Sequence, residues 1–381
     1  MKFGVLFLPS IGPSGTENTS ENYNDMVDDM REYAVLLDEL GYDAMFMTEH
    51  HFEVEGYEVN PNTLMWAVDL AARTERIKFG SLGMQVASWN PVRLAEDIAL
   101  ADQLTKGRFI AGLARGYQKR ENLVLGANWG ATIASPDKSE ANARNQRYFE
   151  EALEIMKKAW TNETFSHDGE FFQIPPAGIE WTHPETTKGV ENGQLTEVGL
   201  TPRPYTKPYP PLWQVISNSE ATVRLAAENG ETPLLMMQQV ETARELFNIY
   251  KEAGGKDGKE LGFGENTALV RDTYLADTTE EAREDFSSYA GDTWLKWLAP
   301  YGFIEAMKKP GEESIPYTME TVMDRLSIVG DPAYVSGRIQ EFRDELNLPY
   351  YILFAYNAMP KEKVMKSLRL FAEQVMPKFQ D

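Results

Sequence analysis

An apolar, strand-like run followed by a helical run recurs eight times along this chain, and that alternation constrains the fold more than any other feature of the sequence. The first run is Lys2–Phe7, ended by Pro9 and the Gly/Ser/Thr-rich loop Gly12–Thr19. Met26, Met30, Tyr33, Ala34, Leu37 and Leu40 then recur at spacings of three and four, the period of a helix with one buried face. Gly41 stops that helix in the usual C-terminal manner. Strand Ala44–Met47 precedes a helix near Asn62–Arg73, Ile77–Gly80 one near Pro91–Thr105, and Arg108–Leu113 a long helix over about Glu140–Trp160. The second half repeats the scheme. Pro211–Ile216 leads to Glu220–Glu228, Pro233–Met236 to Thr242–Ala253, Ala268–Ala276 to Glu280–Ser288, and Tyr350–Phe354 to Lys361–Val375.

Strands separated by helices must run parallel, because each crossover returns the chain to the same end of the sheet. Eight is the number at which such a sheet closes as a (β/α)8 TIM barrel. An open doubly wound sheet is the competing architecture. A barrel takes about 250 residues, so of 381 about 130 are surplus. Two stretches hold them: Phe165–Pro210, dense in Pro, Gly and Thr, and Gly291–Val329, which carries Trp294, Trp297 and Tyr301. Each follows a predicted helix, which places it at the entry to the next strand. Neither reads as a linker, so residues 1–381 are expected to form a single domain with long insertions at about 165–210 and 291–329.

Composition narrows the function. The 37 basic and 59 acidic side chains leave a net charge of −22, which opposes nucleic acid and anionic membranes as partners. No window approaches the roughly 18–20 unbroken apolar residues of a membrane span. The apolar run at the N-terminus is too short for a signal peptide and reads as a first strand, so a cytoplasmic protein is expected. There is no Cys, which excludes thiolate nucleophiles and Cys-ligated metal.

In a parallel barrel, ligands bind at the C-terminal ends of the strands. After the second strand stand Glu49-His50-His51-Phe52, which hold two of the chain's four His. Adjacent side chains in extended backbone point opposite ways, so one His can face the mouth while the other packs sideways. Such a His suits proton transfer near neutral pH; the plain alternative is a pair of loop His bonded to backbone. After the fourth strand, Arg115-Gly116 pairs a forked cation with a residue that lets backbone come close, a good phosphate holder; otherwise Arg115 pairs with one of the many carboxylates. After the fifth strand come Asn218, Ser219 and Thr222, with Ser219 as N-cap of a helix whose free N–H groups favour an anion. Leu82-Gly83, after the third strand, leaves room for a flat ligand. Met45, Met47, Phe52, Trp66, Met84, Trp89, Met236 and Met237 lie near strand ends, and most of them read as barrel core.

With these residues in place, the chain resembles the bacterial luciferase-like flavin monooxygenases along nearly its whole length. The resemblance is carried by Met1-Lys2-Phe3-Gly4, Gly41-Tyr42-Asp43 running to Glu49-His50-His51-Phe52, Asn90 to Asp97, Asp102 to Phe109 and Gly112 to Gly116. More loosely it extends to Phe165–Phe172, Pro208–Trp213 and Val329–Pro332. It implies reduced FMN from a separate flavin reductase, O2 as oxidant, and one oxygen atom inserted into a small, apolar organic substrate through a flavin C4a-hydroperoxide. It implies His50 as the catalytic acid–base, Arg115 with Gly116 at the phosphate, Ser219 and Thr222 as its hydroxyl partners, and Asn218 beside them. Leu82-Gly83 falls where the family has a non-prolyl cis peptide beneath the flavin ring. A homodimer through helices of the first half is expected as well.

The sequence departs from that pattern at Ala114, at Asn145-Gln146 in place of the family's Ser-Arg, and at Asn218 in place of luciferase's Glu. Light emission therefore does not carry over. Three rival readings stay open: a deazaflavin-dependent dehydrogenase on the same fold, a non-catalytic flavin-binding or partner subunit, and a barrel metallohydrolase. A support subunit has no need of His50.

Overall fold

The computed structural model describes residues 1–13, 16–135, 137, 139–217, 219–306, 308, 311–312 and 314–380, the side chains of 305 and 306 excepted. Its centre is a ring of eight parallel strands: β1 (Lys2–Phe7), β2 (Ala44–Met47), β3 (Lys78–Ser81), β4 (Phe109–Ala114), β5 (Leu212–Ile216), β6 (Thr232–Met236), β7 (Ala268–Leu275) and β8 (Tyr350–Ala355). Neighbours in sequence are neighbours in the ring. The ring closes where Lys2–Phe7 of β1 aligns with Tyr350–Ala355 of β8. Closure leaves the ring itself without an edge strand. The open doubly wound alternative is thereby excluded.

Twelve helices surround the ring among the described residues: α1 (Ser20–Leu40), α2 (Thr63–Ala71), α3 (Pro91–Thr105), α4 (Lys119–Leu125), α5 (Glu140–Thr161), α6 (Glu220–Asn229), α7 (Val240–Ala253), α8 (Thr279–Asp292), α9 (Phe303–Ala306), α10 (Met319–Arg325), α11 (Pro332–Leu346) and α12 (Lys361–Gln374). None is long and apolar enough to cross a membrane. The helical spacing read in α1 has its cause in burial: Met26, Met30, Tyr33, Ala34 and Leu37 all face the core.

Aromatic rings plug the lower barrel. Phe46 of β2 lies 5.4 Å from Trp213 of β5, and Trp213 lies 5.1 Å from Tyr350 of β8. These strands are not neighbours, so the rings meet across the interior. Tyr350 is the first residue of its strand, which puts the plug near the N-terminal end and leaves the C-terminal mouth for ligands. Met45, Met47 and Met84 are buried outright, as core residues should be.

The two long stretches take different courses. The first contains two short hairpins, His167–Asp168 with Gln173–Ile174 and Val190–Glu191 with Gln194–Leu195. It runs along α5: Glu151 accepts from the N–H groups of Phe171 and Phe172, and Tyr148 meets both rings. Its end reaches the base of α3, where Thr206 donates to Asp102.

The second stretch begins after α8, yet it folds over the mouth. β7 pairs with β8 only as far as Asp272, then diverges to pair with a short strand, Ser327–Gly330. The segment between contains a π-helical turn at Thr293–Leu298. From it Trp294 donates to Asp272 (2.7 Å) and Trp297 to Glu58 (2.7 Å), and further on the Tyr301 hydroxyl meets the Gln118 amide (3.0 Å). The chain returns to β8 through α11. Asp331 caps that helix by accepting from the N–H groups of Ala333 and Tyr334, and Pro332 opens it. The helix preceding β8 is therefore α11, and α8 belongs to a mouth excursion.

Candidate active site

His50 leaves β2 three residues past its end and turns into the mouth, where only 7% of it is exposed. The loop that carries it is tied back on itself, with His50 N–H donating to Asn60 O and Asn60 Nδ2 donating to Thr48 O. Both ring nitrogens meet carboxylates: Nε2 lies 3.1 Å from Glu58 Oε1, and Nδ1 lies 3.1 Å from Glu121 Oε1. His51 turns to a different acid, Glu49, at 3.3 Å, so the adjacent pair does diverge.

The two carboxylates favour a doubly protonated His50. Glu121 also accepts from His51 N–H (2.6 Å) and from Gln85 Nε2, so it is held as a carboxylate. Its hydrogen bond to the ring then places a proton on Nδ1, and a charged Glu58 calls for a second on Nε2. Burial alone would push the ring toward neutrality. The Glu58 charge and the bonds to Glu121 and Glu58 outweigh it and hold the pKa well above its ordinary value. For Glu121, burial again opposes the charge, and the bond to His50 reverses it, leaving the carboxyl below its usual range. Gln118 Nε2 also lies 3.1 Å from Nδ1, a contact that fits only an unprotonated nitrogen. With the ring doubly protonated, the Gln118 amide oxygen belongs on that side.

Arg115 lies one residue past β4. Its Nε donates to Asn145 Oδ1 (2.8 Å), and its Nη2 donates to the Asn142 carbonyl (3.0 Å) and to Asn142 Oδ1 (2.6 Å). All three acceptors are neutral, so the carboxylate-pairing alternative for Arg115 fails. Burial lowers its pKa, with only the more distant Glu150 charge opposing. A half-buried guanidinium held by neutral acceptors suits an anion brought from outside. Asn145, which stood out as a departure from the family pattern, holds this Arg and also donates to Arg115 O and Thr132 O.

The neighbouring strand end supplies the other half. Leu212, Trp213 and Gln214 of β5 align with Ala111, Gly112 and Leu113 of β4, so the residues after each strand emerge side by side. Ser219 caps α6 through its bond from Thr222 N–H, and Thr222 Oγ1 donates to Ser219 Oγ (2.9 Å). Gly116 has φ +77°, and a Cβ there would lie 2.4 Å from Asn122 Oδ1, so only glycine fits. The Leu82–Gly83 peptide is cis. A Cβ on Gly83 would meet Val215 at 2.8 Å, which shows how closely β5 approaches here. Asn218 lies outside the described residues.

Residue reading missed Glu58, Glu121 and the cover formed by Trp297 and Tyr301. Tyr301 and Phe303 each pack edge-on to Tyr117, which itself packs edge-on to His50. Consecutive residues of the short helix α4 join the two halves. Glu121 holds His50, while Asn122 Nδ2 reaches the carbonyls of Arg115 (3.3 Å) and Gly116 (3.2 Å). Among the described residues, no group of three His, Asp or Glu is arranged to hold a metal.

His50, Arg115 and the N-terminus of α6 all stand at strand ends on one side of the barrel. The sequence profile of the luciferase-like monooxygenases matches residues 1–346. The chain belongs to the luciferase-like monooxygenase family. The oxygenase component of a flavin-dependent trigonelline monooxygenase from Acinetobacter baylyi is 25% identical over 372 residues, covering 93% of this chain and 91% of that one. A 3,6-diketocamphane 1,6-monooxygenase from Pseudomonas putida is 24% identical over 359 residues, with 89% and 87% covered. Among solved structures, the oxygenating constituent of a Pseudomonas putida 3,6-diketocamphane monooxygenase, a type II Baeyer–Villiger enzyme in complex with FMN, superposes with a TM-score of 0.78. It is 22% identical and covers 99% of this chain and 98% of its own. An F420-dependent secondary alcohol dehydrogenase shares the fold at a TM-score of 0.67 and 16% identity, with 100% and 99% covered. This luciferase-like chain is thus an enzyme of the monooxygenase class.

Proposed function

We propose that this protein is the oxygenase of a two-component system that takes reduced FMN from a separate reductase and inserts one atom of O2 into a small, apolar organic substrate. For a C–H substrate the balance is RH + O2 + FMNH2 → ROH + H2O + FMN; for a ketone the oxygen enters a C–C bond. The observation that carries the reading is Arg115, half-buried with neutral partners among the described residues, at the end of the strand that pairs with the one leading into α6. That donor set fits a phosphate monoester. Arg115 would hold its oxygens, with Ser219 and Thr222 completing the cradle. Bound reduced flavin supplies the electrons that divide O2 between product and water.

The chain's own part is acid–base control and exclusion of water. His50 carries two protons and hands one over when the reacting oxygen becomes basic. Trp297, Tyr301, Tyr117 and Phe303 roof that position with apolar surface. The same roof supports an apolar substrate. The relatives' named substrates differ among themselves. Exposed Met65 on α2 and Leu100 and Leu104 on α3 support a homodimer through those helices.

Anaerobic titration of the ligand-free protein with FMNH2 and, separately, with a reduced deazaflavin tests the cofactor. Saturable binding of FMNH2 is expected. Binding of the deazaflavin alone would move the chain to the dehydrogenase branch, and binding of neither would sink the proposal.

A further inference from the structure

Both nitrogens of His50 are reached, through one intermediate residue each, by the excursion that covers the mouth. Trp297 Nε1 donates to Glu58 Oε2 at 2.7 Å, and the other oxygen of the same carboxylate lies 3.1 Å from His50 Nε2. The Tyr301 hydroxyl lies 3.0 Å from the Gln118 amide, whose other end lies 3.1 Å from His50 Nδ1. Glu58 is 2% exposed, so water does not satisfy its charge; Trp297 and His50 do. Tyr57, its chain neighbour, stacks on the Trp297 ring at 5.0 Å and 15°. The excursion and the loop after β2 therefore meet as a ring stack and a hydrogen bond around one carboxylate.

We propose that Glu58 is a positioning residue that keeps a proton on Nε2 of His50, and that Trp297 makes the seated excursion a condition of that arrangement. The proposal rests on the reading of His50 as the acid of the reaction. A buried carboxylate with two donors remains charged and leaves the proton on the ring. With the Trp297 N–H withdrawn, Glu58 has one donor left and takes the proton itself, and the ring becomes neutral. His50 then acts as an acid only while the roof is down, which ties proton delivery to the exclusion of water. No bond other than the N–H to O–H transfer is involved.

Other charged and titratable groups face this pair. Glu121 from α4 holds Nδ1, Glu53 from the loop after β2 senses the His50 charge, and Arg120 pairs with Glu53 (2.6 Å) and Glu55 (3.1 Å). Tyr117 and Tyr301 are both pushed upward, by burial first and then by nearby carboxylates, Glu58 and Glu121 for Tyr117 and Glu53, Glu58 and Glu121 for Tyr301, and remain neutral. Glu121 and Glu58 alone among these touch the ring nitrogens as acids, so substitution of each separates their shares.

The test is an imidazole NMR titration of the ligand-free protein, in which four His give few signals and single-His variants assign them. In Glu58→Gln the His50 midpoint is expected to fall by about one pH unit or more, the effect of losing an opposite charge at contact distance. In Trp297→Phe, which keeps the stack on Tyr57, a smaller fall in the same direction is expected. A midpoint left in place by Glu58→Gln overturns the proposal. Movement in Glu58→Gln with none in Trp297→Phe overturns the link to the excursion. Should Glu58→Gln fail to fold, Trp297→Phe decides alone: a fall supports the proposal, and no change refutes it. The titration reads the proton without flavin, so failure of the oxygenase reading would appear separately, as unaltered coupling in a His50 variant.

Discussion

Replacing Arg115 with Ala should weaken FMN and leave riboflavin almost untouched, because the two flavins differ only in the phosphate. The guanidinium donates to three neutral acceptors, at 2.8, 3.0 and 2.6 Å, and these fix its plane before any ligand arrives. Ordering costs are thus largely met in the free protein. A hydrogen bond to a charged group is worth about 1.5–3 kcal/mol, and the site is half-buried, so about 2–3 kcal/mol is expected from the guanidinium–phosphate contact. At about 1.4 kcal/mol per decade this is a loss of roughly 30- to 150-fold in affinity. Asn145→Ala removes the acceptor at Nε together with the bonds to Arg115 O and Thr132 O, and should cost FMN about fivefold or more, since one neutral hydrogen bond is worth about 1 kcal/mol. The advantage of FMN over riboflavin should also rise through about pH 6, where a phosphate monoester takes its second charge. The assay is fluorescence quenching of each flavin by wild-type and variant protein at fixed salt. Equal weakening of FMN and riboflavin by Arg115→Ala would show that Arg115 is not at the phosphate, and the phosphate-site argument would fail with it.

Further outcomes follow from the same geometry. His50→Ala should bind FMN as before but lose about 10²–10⁴ in product formation, with H2O2 rising in step, measured by peroxidase-coupled assay; unchanged coupling would refute the acid role. Asp272 accepts from Trp294, Tyr356 and Ser327, and its burial raises the carboxyl to about 7. Its folded pKa exceeds its unfolded one, so the native state binds the extra proton between about pH 4 and pH 7, and stability from this group falls as pH rises through that window. Denaturant melts of wild type against Asp272→Asn should differ with pH there, by up to about 4 kcal/mol, and a pH-independent difference would contradict the assignment. If α2 and α3 form the dimer face, the double variant Leu100→Glu, Leu104→Glu should run at the 43.2 kDa monomer mass in light scattering while the wild type runs at twice that; equal masses would discard the interface.

The barrel was legible because its strands are buried on both faces and its helices on one. Val5, Leu6 and Phe7 read as a continuous apolar run for that reason, and α1 shows its period because only one side meets the core. Strand ends agreed to a residue or two. The path between β7 and β8 was not legible. α8 has an ordinary amphipathic pattern, and nothing in it distinguishes packing on a barrel flank from packing on an excursion. The Asp331-Pro332 cap and opening Pro of α11 were the signal that a later helix begins. That cue marks where a helix starts, and it does not reveal which helix returns to the sheet.

The site divides along the same line. His50, Arg115, Ser219 and the Leu82–Gly83 bond lie within a few residues of strand ends, so strand order alone brings them to the mouth. Glu58 and Glu121 reach His50 from a loop and from a seven-residue helix, and Trp297 reaches Glu58 across 239 residues of sequence. In a chain with 59 acidic residues, no spacing rule singles out two that lie buried against one imidazole. They are visible only through burial, since an acid with almost no exposed surface must have found a donor, and in a strongly acidic chain donors are the scarcer party. The same scarcity explains Arg115. With carboxylates abundant, an Arg that reaches half-burial with only amide and carbonyl oxygens around it has been kept from them by the packing of α4 and α5, and that exclusion is what leaves its charge for a ligand.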